Sequence, residues 1–94
     1  MVLHTLNAIP GSNAFSDCLR LASAGDTIVL LGNGVYGLMP AENLERLNAV
    51  GADLFVLATD ADAAGIACPP EVQKIDYDAL VTLSERYPRQ LGWF

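Results

Sequence analysis

Two short segments constrain this chain more than any other feature: Thr27 to Leu31 and Leu54 to Ala58 are, after the threonine, unbroken apolar runs of strand length. A strand with one face in water alternates apolar and polar residues. A continuous run belongs to a strand covered on both faces, which is the signature of a parallel sheet. Helical patterns separate these runs. Phe15, Cys18, Leu19 and Ala22 fall on one helical face behind Ser12 or Asn13 as caps, and the helix should run to about Ala24 before Gly25. Pro40 opens a second helix carrying Ala41, Leu44, Leu47 and Val50, ending near Gly51.

The remaining segments extend the same alternation. Val2 to Leu6 reads as the first strand and Val72 to Ile75 as a short fourth. Asp60 or Asp62 can cap a single helical turn through Gly65, and Asp76 a last helix to about Tyr87, where Pro88 stops it. Gly92-Trp93-Phe94 follows as a tail. The expectation is one α/β domain over residues 1–94, a mostly parallel sheet of about four to five strands with helices on both faces. Strand order is not readable from this pattern.

Composition narrows the function classes. A 94-residue chain that is 52% hydrophobic and 17% charged is rich in apolar residues for its size. A domain this short buries only about 60–65% of the surface its unfolded chain exposes, so an apolar surplus also suits a partner surface. Five basic residues against eleven acidic ones, net charge −6, argue against direct binding to nucleic acid. No run approaches ~18 apolar residues, which excludes a membrane-spanning helix. The start of the chain lacks a basic region leading into an apolar one, so no signal peptide is expected and the cytoplasm is the expected compartment. Cys18 and Cys68 are then expected as reduced thiols.

Candidate chemistry is sparse. Gly32 to Gly37 holds three glycines in six residues but lacks dinucleotide or phosphate-loop spacing, and reads as a tight turn with positive φ angles. Asp60 with Asp62, and Asp76 with Asp78, are spaced two apart and therefore face different sides of a helix; capping accounts for them. His4, the one histidine, reads as a hydrogen-bonded core residue. Neither a metal site nor a cofactor is expected. Cys18 sits among apolar neighbours, between Asp17 and Arg20, and reads as a small packing residue; Cys68, before Pro69 and Pro70, has nothing nearby to activate it.

The order of several motifs adds a family. Leu3-His4-Thr5-Leu6-Asn7, Asp17-Cys18-Leu19-Arg20 followed by Gly25-Asp26, the loop Asn33-Gly34-Val35-Tyr36, and Ile75-Asp76-Tyr77 with a terminal helix and a tryptophan one residue from the end together resemble the DsrH/TusB family of sulfur-relay subunits. The resemblance spans nearly the whole chain. It implies a small α/β subunit assembled with DsrE/TusD-like and DsrF/TusC-like partners in a hetero-hexamer, or a homodimer when isolated. It also implies TusA-like and TusE/DsrC-like sulfur donors and acceptors. The sulfur would serve 2-thiouridine formation at the tRNA wobble position or, in the Dsr branch, sulfur oxidation. Under this resemblance Cys18 becomes a candidate persulfide site, although the family's main sulfur-accepting cysteine belongs to the DsrE/TusD partner, which leaves an architectural role open. Trp93, Phe94 and Tyr36 are the interface candidates, with Trp93 folding back onto its own sheet as the alternative.

Overall fold

Five strands, β1 (Val2–Leu6), β2 (Thr27–Leu30), β3 (Asp53–Leu57), β4 (Gln73–Ile75) and β5 (Arg89–Trp93), make one wholly parallel sheet in the order β4-β3-β2-β1-β5. The computed structural model describes residues 1–94. Four helices connect the strands: α1 (Asn13–Leu21), α2 (Ala41–Ala49), α3 (Ala58–Ala63) and α4 (Tyr77–Arg86), with a 3-10 segment at Gly32–Leu38.

The strand order dictates which face each helix covers. From β1 through β4 the chain steps one way across the sheet, and right-handed crossovers then put every intervening helix on one face. The last connection returns from one edge to the other, so the same rule sends α4 to the opposite face. The core divides accordingly. The larger cluster joins Leu6, Ile28, Leu30 and Val56 of the sheet to Phe15 and Cys18 of α1, Leu47 of α2 and Ala61 of α3. The smaller one places Leu3, Val29 and Ile75 under Ala79, Leu80 and Leu83 of α4. β2, central in the sheet, is buried at all four positions, as its unbroken apolar run requires.

The local signals act largely as expected. Ser12 caps α1, its Oγ accepting from the Phe15 amide at 3.2 Å, and Asp76 caps α4 through the Ala79 amide at 2.8 Å. α1 stops at Leu21, short of Ala24, because Ala22 turns to an extended conformation. Pro40 stands just before α2 as its N-cap, and Gly51 beyond its end takes φ +81°. Two expectations need correction. Neither Asp60 nor Asp62 caps α3, which starts directly from β3 with Leu57 as N-cap. Asp60 lies inside the first turn, and its carboxylate accepts instead from the Gly32 amide at 2.7 Å, tying α3 to the end of β2.

The second correction concerns the tail. Arg89–Trp93 is a fifth strand, pairing along the whole of β1 from Val2↔Arg89 to Leu6↔Trp93. Its side chains are exposed except for a half-buried Trp93, so no apolar pattern announces it. The free edge of β1 supplies the ladder that its own residues do not signal.

Candidate functional site

Cys18 lies on the inward face of α1 beside Phe15 and is fully buried. Burial pushes its thiol up to about 12. The two charges flanking it in sequence are engaged with each other: the Arg20 guanidinium donates to the Asp17 carboxylate at 3.0 Å on the exposed side of the helix. A persulfide-forming thiol needs access and a stabilised thiolate. In this conformation Cys18 has neither. Cys68 is half-buried in the loop before β4, and its Sγ donates to the Val72 carbonyl at 3.1 Å. Burial raises its pKa as well, Lys74 opposing and Glu71 assisting. Both cysteines are free thiols.

The carboxyl end of the sheet, where open parallel sheets bind ligands, is closed by its own side chains. The Asn7 carboxamide oxygen accepts from the Asn33 amide at 3.0 Å, and Asp60 holds the Gly32 amide. The Gly34 amide donates to the Leu31 carbonyl. Amides that a phosphate cradle would offer are therefore already occupied. Of the three glycines here only Gly32 has a positive φ, +53°. Gly34 is required by contact: a Cβ there would stand 1.9 Å from the Leu6 carbonyl oxygen. The tight turn with positive φ angles is corrected to a 3-10 helix over Gly32–Leu38 with one positive φ, and close approach rather than backbone sign explains Gly34. Tyr36, Met39 and Ile9 are exposed on the loops that follow these strands.

One constellation went unread in the sequence. His4, 1% exposed, shares a hydrogen bond of 3.0 Å with the Asp26 carboxylate through Nε2, and its Nδ1 accepts from the Trp93 indole N–H, also at 3.0 Å. The His4 and Trp93 rings stack with centroids 6.1 Å apart. Asp26 accepts further from the Val2 and Ser23 amides. Burial alone would raise its pKa, but these hydrogen bonds and the His4 ring outweigh it and hold the carboxyl below its ordinary 3.8. The core role expected of His4 is found, while the partners were not foreseen. The one available signal was that a buried imidazole requires two of them. Trp93 is turned inward, against the larger core cluster, whereas Phe94 is 83% exposed and Tyr36 42%.

No three His, Cys, Asp or Glu side chains come together in a way that could hold a metal ion. No helix is long and apolar enough to cross a membrane.

Comparison with known proteins agrees on both fold and family. By structure the chain is similar to the ychN protein of E. coli, with a TM-score of 0.72 at 17% identity, covering 98% of this chain and 97% of that one. It is also similar to protein Tm0979 of Thermotoga maritima, with a TM-score of 0.64 at 27% identity over 92% and 93% of the two chains. By sequence it is 36% identical to protein TusB of Pectobacterium parmentieri and 33% identical to protein TusB of Escherichia coli K12. In both cases the match covers 98% of this chain and 100% of the relative. The family described as DsrH like protein matches residues 10–90. With that match and those relatives, the chain belongs to the DsrH family.

Proposed function

We propose that this protein is a subunit of a cytoplasmic persulfide-relay complex serving 2-thiolation of the tRNA wobble uridine, and that its own part is architectural. The observation that carries the first half is the match to TusB proteins along the full length of both chains. Membership of the family supports assembly with DsrE/TusD-like and DsrF/TusC-like subunits, which would supply the sulfur-accepting cysteine. The burial of Cys18 and its raised pKa support the second half, because a thiol in the core offers no thiolate to a donor protein. Exposed Phe94 and Tyr36 are suited to partner contact. Five basic residues against eleven acidic ones leave any tRNA to be held by another component. Service in sulfur oxidation is the alternative destination for the same relay.

Intact-mass spectrometry after incubation with a persulfide donor tests the reading, with the chain alone and together with its two partner subunits. A sulfur adduct on a partner and none on this chain is expected. An adduct here that disappears in Cys18→Ala makes this subunit a carrier and overturns the architectural role. Alanine is the better control because serine would place a hydroxyl in an apolar core. Failure to co-purify with DsrE/TusD-like and DsrF/TusC-like subunits would overturn the relay reading as a whole.

A further inference from the structure

β5 is an edge strand with four exposed residues, held by backbone pairing to β1, near its start by Gln90, whose Nε2 donates to the Ser84 carbonyl at 2.6 Å, and near its end by one inward side chain, Trp93. That side chain ends on His4. An indole N–H can only donate, so the Nδ1 that receives it carries a lone pair, and the proton of the ring lies on Nε2, facing the Asp26 carboxylate. Both hydrogen bonds are satisfied by the neutral ring in this one tautomer. A second proton has only Nδ1 to occupy. There it would meet the indole N–H head-on at a site built for 3.0 Å contact, while Asp26 at 3.0 Å on the other side would hold the charged ring in place.

We propose that His4 is a pH-sensitive latch for the C-terminal strand: the neutral imidazole holds Trp93 against the sheet, and the doubly protonated ring releases it. The ionisable groups on the elements around His4 are few. Asp26, before β2, is the one in contact; Cys18 of α1 lies on the same face of the sheet, buried in the apolar core; and Arg89 of β5 is exposed at the far end of the strand. Release would free the end of β5 and bring Trp93 out beside Phe94, already exposed at this edge. The latch acts within one chain and stands whether or not the relay reading holds.

Since the protein has one tryptophan and one histidine, both signals are unambiguous in the full-length chain. A pH titration followed by NMR should show the Trp93 indole proton losing its hydrogen-bonded shift in the same step in which the His4 ring titrates, with a red shift of tryptophan fluorescence. In His4→Gln, whose carbonyl can still accept, that step should vanish. In Asp26→Asn it should move to lower pH. In Trp93→Phe, where no donor opposes the proton, the His4 midpoint should rise. An indole signal that stays constant through the His4 titration overturns the latch. So does a His4 that remains neutral until the chain unfolds, or a midpoint unchanged in Trp93→Phe.

Discussion

At the scale of single residues, Cys18 and Gly34 show what packing imposes. A thiol raised to about 12 is almost wholly un-ionised at pH 8. Cys18 should therefore resist iodoacetamide in the native protein and react only after urea is added, while half-buried Cys68 should label first; mass mapping of the alkylated peptides reads this directly. Cys18→Ala should cost about 1 kcal/mol for the lost packing, read from the urea midpoint. Gly34→Ala should be far worse. Its Cβ would meet the Leu6 carbonyl at 1.9 Å, and backbone cannot rotate away as a flexible side chain can. A loss of about 3 kcal/mol or more is expected in the same assay.

Among elements, the contrast lies between helices that announce themselves and a strand that does not. α1 and α4 rest on side-chain caps at Ser12 and Asp76, and replacing either by Ala should lower stability by about 1 kcal/mol in chemical denaturation. β5 has no such local support. Amide hydrogen exchange should find its amides the least protected of the three long parallel pairings, with β1 and β2 slowest, because Trp93 is the one side chain of β5 that is not exposed. Its Trp93 was one of three interface candidates and is the one turned inward; Phe94 and Tyr36 keep their rings accessible to a partner.

For the whole molecule, the network at Asp26 links the start of the chain to its end. Asp26 binds Val2, His4 and Ser23, and His4 binds Trp93. The folded Asp26 carboxyl lies below its ordinary 3.8, so the unfolded chain takes up the proton more readily. Its contribution to stability is thus present above pH 3.8 and lost as pH falls through the lower, folded-state value. Urea midpoints measured from pH 6 downward should fall in the wild type. Asp26→Ala should already be destabilised at pH 6, by about 3 kcal/mol, and the gap should narrow on acidification.

Legible in the residues alone were the parallel α/β class, the first four strands within a residue or two, the cap of α4, and that of α1 as either Ser12 or Asn13. So was the family, because unbroken apolar runs, capping residues and motif order are all local or linear properties. The tertiary structure alone decided the rest. Strand order, and with it three helices on one face and α4 on the other, follows from which edges meet in space. Arg89–Trp93 became a strand because β1 had an open edge, not because its residues are apolar. Asp60 reaches Gly32 across 28 positions, Asp26 reaches His4 across 22, and Trp93 reaches His4 across 89. Hydrogen bonds of that range are absent from any local pattern, since they exist only once the sheet has brought their partners within 3 Å.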